Sequence, residues 1–339
     1  MIKLRPIYES LQILDISDEV SFSKEYANYI SNSKLSLLNP SEDGNIEKYK
    51  LGLSGNKIET SSLSLGSAIH QLVLQPNEYF LAPNLNKPTG KLGNVAEYVY
   101  KDGGDITEKL VKQAAMACDY YKGVLSGNRL QTALDGCKNY VECRKNWSYT
   151  GTKEVLYLDN VSNYKAIQCV GSVNANKEIM SLLHPTVDVF DEDPIIMNEC
   201  TILFDVECSD DEGNSTILHL KSNLDNTIIW DDRIDLNDLK TTFHIDQFNE
   251  SFEKYHYGRQ MAFYAYVLNA INVKDNKNRK VQTNMALVST VDPFTSKVFP
   301  VKSREMLKGF KEFSLLLKFA GACELYNYDV NKVNGAGIQ

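Results

Sequence analysis

The stretch LKSNLDNTIIWDDRIDLNDLKTT, residues 220–242, holds two carboxylates and a lysine: Asp225, Asp238 and Lys240. On an extended strand side chains alternate between faces, so Asp238 and Lys240, two apart, share one face. Two carboxylates can hold a divalent cation. An ammonium group beside them can orient an attacking water or help remove its proton. Together these groups suit the hydrolysis of a phosphodiester. A D-x-K triplet alone arises often by chance. The second acid at a fixed distance upstream is the more specific feature.

The surrounding chain has to position these groups. Residues 1–60 are polar and rich in Ser and Asn, with a short helical patch around FSKEYANYI and a turn at NPSEDGN. SLGSAIHQLVLQPNEY reads as a helix, with Ala68, Ile69, Leu72 and Val73 on one face and Pro76 ending it. Residues 81–102, with Pro83, Pro88, Gly90 and Gly93, read as a loop, and 105–147 as a helical block. KEVLYLD and NECTILFDVE read as strands. DDEGNS reads as a hairpin turn leading into the strand TILHLKSNLDNTIIW, and IDLNDLKTT as the next strand. DQFNESFEKYHYGRQMAFYAYVLNAI reads as one long amphipathic helix, with Phe248, Phe252, Tyr255, Gln260, Phe263, Tyr264 and Val267 broadly on one side. NMALVST is a buried strand, KVFPV an edge strand and REMLKGFKEFSLLLKFAGACELY a final helix. This order predicts an α/β fold, a central mixed β-sheet flanked by helices. Residues 1–60 would form an arm packed on the core. Residues 61–339 would form the main domain, with 105–147 as a helical insertion.

An apolar fraction of 43% and a charged fraction of 24% are ordinary for a globular chain with a sizeable core. The seven cysteines form no CxxC pair, which argues against zinc and iron–sulfur sites and suits a reducing compartment. MIKLRPIYESLQ lacks the apolar core of a secretory signal, and no stretch reaches transmembrane length. The expectation is therefore a cytoplasmic protein with no membrane partner. The net charge of −8 is unusual for a nucleic-acid binder, but its distribution matters more. Residues 181–240 carry 15 acidic against three basic side chains, and residues 241–320 carry 12 basic against seven acidic. A metal site needs the first kind of clustering and a phosphate track the second. Most of the acids in 205–212 and 231–235 still read as solvated turns. TGKL at 89–92 lacks the spacing of a nucleotide-binding phosphate loop.

Five segments, in order over residues 29–300, resemble the PD-(D/E)XK nucleases, and within them the phage and prophage exonuclease VIII (RecE-like) group. YISNSKLSLLNPSE resembles the family's opening S-x-S-x-L segment, and SLGSAIHQLVLQPNEYF its G-x-A-x-H-x-x-L-x-P helix. NECTILFDV resembles a strand beginning with a family Glu. Residues 220–242 resemble the segment carrying the core acids and lysine, and YHYGRQMAFYAYVL the Y-H-x-Q-x-x-x-Y helix. Each match is weak alone; the shared order and spacing make the signal.

The resemblance implies a restriction-endonuclease-like core and a role for each matching residue. Asp225 and Asp238 match the metal-binding acids, Lys240 the catalytic lysine, and the Leu239 carbonyl a backbone metal ligand. His70 matches the histidine completing the metal site, and Glu199 an upstream acid near it. Gln260 and Tyr264 match the helix that supports the site and contacts DNA. Tyr257 and Arg259, on the same segment, are further candidate DNA contacts. Ser222 or Asn223 stands where several relatives have an Arg, removing one phosphate contact, and the second acid is Asp rather than the commoner Glu. The implied activity is a Mg2+-dependent deoxyribonuclease, an exonuclease acting on duplex DNA ends and resecting the 5′ strand in phage recombination or replication. A histidine ligand suits Mn2+ as well. A single-strand annealing protein and a homo-oligomer are the implied partners, and host cytoplasm the location if the gene is phage-borne. The competing readings are a non-catalytic DNA-binding or assembly module of the same fold, and an endonuclease of the same superfamily.

Overall fold

A computed structural model describes residues 1–14, 26, 28–53, 61–82, 87–121, 123–146, 153–186 and 193–336. Most of the helical patch expected around 22–30 lies outside the described residues. The chain forms two compact units. The first comprises Met1–Ile58, Lys177–Leu287 and Lys297–Gln339. The second comprises Glu59–Asn176 and Val288–Ser296. The fold class is α/β, with a mixed six-stranded central sheet and flanking helices. The strands are β1 (Lys3–Leu14), β2 (Tyr79–Leu81), β3 (Glu154–Leu156), β4 (Ile195–Ser209), β5 (Ser215–Ile229), β6 (Arg233–Thr242), β7 (Lys280–Ser289) and β8 (Ser296–Pro300). The sheet order is β1-β4-β5-β6-β7-β8, and β2 pairs with β3 separately. KVFPV thus forms the edge strand β8, as its sequence suggests.

β4 and β5 pair antiparallel along their length, from Ile195↔Ile229 to Ser209↔Ser215. Asp210 holds their hairpin turn by accepting from the N–H groups of Glu212 and Asn214, each at 2.9 Å, and Gly213 supplies the left-handed residue at φ 88°. Along β4, Cys200, Ile202, Phe204, Val206 and Cys208 enter one core with Leu218, Leu220 and Leu224 of β5. Met261, Phe263 and Val267 of the Tyr257–Lys274 helix complete it with Phe313, Leu316 and Leu317 of the Ser303–Leu325 helix. The two helices cross at glycines: a Cβ on Gly309 would lie 2.0 Å from the Gly258 carbonyl oxygen.

β5 and β6 pair only from Asn226↔Asn237 to Ile229↔Ile234, so the ladder stops where the acidic residues begin. Farther along the same edge of β5, Ile30 takes the ladder bonds: its N–H donates to the His219 carbonyl at 2.7 Å, and its carbonyl accepts from Lys221 N–H at 2.9 Å. A row of asparagines crosses the sheet at the end of the paired stretch. Asn226 Nδ2 donates to Asn198 Oδ1 at 2.7 Å and Asn237 Nδ2 to Asn226 Oδ1 at 2.8 Å. Asn284 Nδ2 reaches Asn237 Oδ1 at 3.3 Å. Asn226 and Asn237, both 0% exposed, also donate to the carbonyls of Leu183 and Leu182 at 3.1 and 3.0 Å.

Several elements differ from their sequence reading. The polar N-terminal segment contains β1, whose pairing with β4 shifts between Ile7 and Gln12, a bulge where Ser10 Oγ donates to the Ile7 carbonyl and accepts from Asp205 N–H. Residues 246–271 are not one helix: Phe248–Lys254 stops, His256 adopts φ 51°, and a second helix runs Tyr257–Lys274. In the second unit the expected loop 81–102 contains the helix Gly90–Lys101, where Val95, Ala96 and Val99 are fully buried at helical spacing. Residues 160–175, which carry no assignment from sequence, form the helix Asn160–Ala175, and Asp159 caps it by accepting from Val161 and Ser162 N–H. Among the described residues no helix is long and apolar enough to cross a membrane. All seven cysteines are free thiols.

The second unit packs Val95, Val99, Val111, Ala133 and Val141 around a polar knot. Tyr140 and Arg144 both bond the Glu97 carboxylate, and the Arg144 guanidinium lies 3.9 Å from the Tyr157 ring centre and 4.2 Å from that of Tyr100. Burial alone would raise the Glu97 pKa, but the bonds from Tyr140 and Arg144 outweigh it and hold the carboxyl below its ordinary 4.5. A depressed carboxyl contributes stability above its unfolded pKa and loses it as pH falls through the folded value. The resistance of the protein to urea should therefore fall as the pH drops below about 4.5, and Arg144→Met should flatten that fall. A pH-independent difference between the two proteins would contradict this account. In the first unit, Asn226→Ala leaves Asn198, Asn237 and Leu183 without their partner. It should cost about 2–3 kcal/mol in chemical denaturation, where a loss under about 0.5 kcal/mol would show the row to be dispensable.

Candidate active site

Asp225 immediately precedes the paired residues of β5 and Asp238 immediately follows those of β6, where the two strands cease to bond each other. Asp225 replaces a ladder partner: its Oδ2 accepts the Leu239 N–H at 2.7 Å. Asp238 and Lys240 meet as the period of two predicts, Lys240 Nζ lying 2.6 Å from Asp238 Oδ2. The Asp238 side chain is only 1% exposed. Its other oxygen accepts from Gln260 Nε2 at 3.0 Å, and Gln260 also bonds the Tyr264 hydroxyl at 3.2 Å, one helical turn on. Tyr257 lies beneath the lysine, with Nζ 5.6 Å from its ring centre. Glu199 sits on β4 between Asn198, which faces Asn226, and Cys200, which faces Leu224, so Asp225 is its neighbour across the ladder. The carboxylate oxygens of Glu199 and Asp225 lie within 4.8 Å of one another. Glu199 holds a left-handed backbone, φ 48°, costly for a residue with a side chain and typical of positions fixed by their surroundings.

The electrostatics follow from this packing. Burial pulls the Lys240 pKa down, but Asp238 and Asp225 more than reverse it, so the side chain is held above its ordinary value and remains an ammonium ion. Burial and then Asp238 push the Tyr264 phenol up, so it keeps its proton and serves as a neutral hydroxyl beside Gln260. The lysine is therefore suited to orienting a water or neutralising charge, not to taking a proton. Three carboxylates against one ammonium leave the cluster electron-rich. A divalent cation bound by oxygen at about 2.0–2.6 Å would span a gap of the size between Glu199 and Asp225. Glu199 and Asp225 thus fit as oxygen donors for such an ion, while the two oxygens of Asp238 are engaged by Lys240 and Gln260.

Other expected residues are placed differently. Arg259 is not available to DNA: its side chain is 1% exposed, and its guanidinium bonds Asn32 at 3.0 Å and the carboxylates of Glu42 and Glu312. It ties the N-terminal segment together with the helix Ser303–Leu325, and this burial rules out the DNA contact expected of it. Tyr257 stacks on Phe248, with ring centres 5.7 Å apart and 14° between planes, so most of its ring belongs to the core. Leu239 has a fully buried side chain. Ser222 is 1% exposed and its hydroxyl has no hydrogen-bond partner among the described residues. His70 lies half-buried on the Ser61–Leu74 helix of the second unit. The asparagine row escaped sequence reading, although Asn198, Asn226 and Asn237 each adjoin a candidate acid. That adjacency on three strands was the available signal.

No family model and no curated protein matches the chain. Among solved structures, a crystal structure from Eubacterium rectale described as that of a candidate exonuclease is 12% identical, covering 95% of this chain and 88% of its own, with a TM-score of 0.46. At that identity and score the likeness decides nothing about the chemistry of either protein.

Proposed function

We propose that the protein is a metal-dependent deoxyribonuclease. The observation that supports this is the clamping of Asp238 between Lys240 and Gln260, directly beside Asp225, where β5 and β6 stop pairing. Glu199, Asp225, Asp238 and the Leu239 carbonyl would hold Mg2+, and the resemblance read in the sequence adds His70. A bound divalent ion supplies a polarised water and neutralises charge on the phosphoryl oxygens. The chain's own groups do the rest. Lys240 donates hydrogen bonds to the attacking water or to a phosphate oxygen. Gln260 fixes the rotamer of Asp238, and Tyr264 fixes Gln260. Groups held before the substrate arrives need no reorganisation in the transition state.

The finer reading rests on the sequence resemblance: an exonuclease acting on duplex ends, resecting the 5′ strand in phage recombination, assembling with copies of itself and working with a single-strand annealing protein. Mn2+ should replace Mg2+. The test is incubation with linear duplex, circular duplex and single-stranded DNA. With Mg2+ or Mn2+ the linear duplex should be degraded and circles spared; with EDTA nothing should be cut. Asp225→Ala, Asp238→Ala and Lys240→Ala should each lower the rate about a hundredfold or more while the circular dichroism stays native. His70→Ala and Glu199→Ala test the wider ligand set. Wild-type cleavage by Lys240→Ala would refute the assignment. Nicked circles would make the enzyme an endonuclease, and no cleavage with either metal would leave a DNA-binding module.

A further inference from the structure

The break between the helices Phe248–Lys254 and Tyr257–Lys274 moves one aromatic ring out of the core. Phe248 and Phe252, just before it, are 2% and 4% exposed, whereas Tyr255 is 53% exposed. The break is fixed from several sides. His256 holds φ 51°, its Nδ1 is 2.7 Å from Glu312 Oε1, and the following turn packs Gly258 against Gly309. A left-handed histidine is a costly conformation, kept only where its surroundings impose it. Tyr255 is therefore presented to solvent on a rigid corner rather than on a mobile loop.

That corner is continuous with the candidate site. Lys240 Nζ lies 5.6 Å from the ring centre of Tyr257, which lies 5.8 Å from that of Tyr255 at 41°. Lys254 Nζ stands 5.3 Å from the Tyr255 ring centre, and its neighbour Glu253 is engaged by Lys308. The path outward from Asp238 thus runs lysine, ring, ring, lysine. Rings flanked by ammonium groups suit a nucleic acid strand, whose bases stack on the ring and whose phosphates meet the cations. A single exposed tyrosine is too small a patch for a stable protein interface.

We infer that Tyr255, backed by Tyr257 and with Lys254 beside it, is a stacking site for an unpaired base of the DNA strand adjoining the bond to be cut. This rests on the deoxyribonuclease reading and adds to it a substrate feature: the strand is held with a base out of its helix. The site tolerates any base, since every base has a stacking face.

Fluorescence anisotropy in EDTA with a short labelled single-stranded oligodeoxynucleotide tests this, alongside the same strand with abasic residues at its end. Tyr255→Ala should bind the normal strand about tenfold more weakly than wild type, while Tyr255→Phe and Tyr255→Trp stay within about twofold. On the abasic strand wild type and Tyr255→Ala should bind alike. An unchanged affinity for Tyr255→Ala, or an equal loss on both strands, overturns the stacking site while leaving cleavage as evidence for the nuclease. A wild-type protein that neither binds nor cuts DNA overturns both. Thermal melting of Tyr255→Ala should match wild type, since the ring leaves the surface and not the core.

Discussion

The candidate site depends on strand register, and the asparagine row fixes that register. On a strand a slip of one residue turns every side chain to the opposite face. Apolar contacts alone resist such a slip weakly at the open end of a hairpin, because many aliphatic neighbours are nearly equivalent. Amide groups are not equivalent. Asn198, Asn226, Asn237 and Asn284 each have to find a named partner across the sheet, and a misplaced buried amide costs about 1–3 kcal/mol. Asp225 and Asp238 adjoin members of the row, so they inherit its alignment on the other face. The polar row also explains how the sheet can stop pairing abruptly beyond it without the hairpin fraying inward.

Beyond the row, the structure solves a second problem, the burial of charge. A carboxylate almost removed from water is tolerable only when paired and hydrogen-bonded. Asp238 has an ammonium on one oxygen and an amide on the other. Asp225 has a backbone N–H, and Arg259, next in sequence to Gln260, serves Glu42 and Glu312 in the same way. These two charged clusters differ in one respect. The Arg259 guanidinium reaches both of its carboxylates, whereas Lys240 makes its ion pair with Asp238, one of three neighbouring acids.

Much of this was legible in the sequence where the controlling interactions are local. The D-x-K spacing places Asp238 beside Lys240 because a strand's period is independent of its neighbours, and Gln260 and Tyr264 meet because a helix's period is too. The interruption at His256 was not legible: nothing in DQFNESFEKYHYGRQMAF ends a helix, and the partner that holds the turn, Glu312, lies far along the chain. Arg259 looked exposed for the same reason, since Glu42 and Glu312 are remote in sequence and close in space. The helix Gly90–Lys101 was hidden by Pro88, Gly90 and Gly93, which as isolated residues argue for a loop. The strand β1 was masked by its bulge at Ser10, which interrupts the alternation that would have betrayed it.

The edge of a sheet is a row of peptide groups that a neighbouring strand can pair with. Such an edge is a template on which another chain can crystallise a strand of its own, the first step of aggregation. In β5 the exposed length is limited at both ends, by the hairpin with β6 and by Ile30, whose two peptide bonds occupy the ladder at His219 and Lys221. Ile30 thereby closes part of that edge with the chain's own backbone bonds.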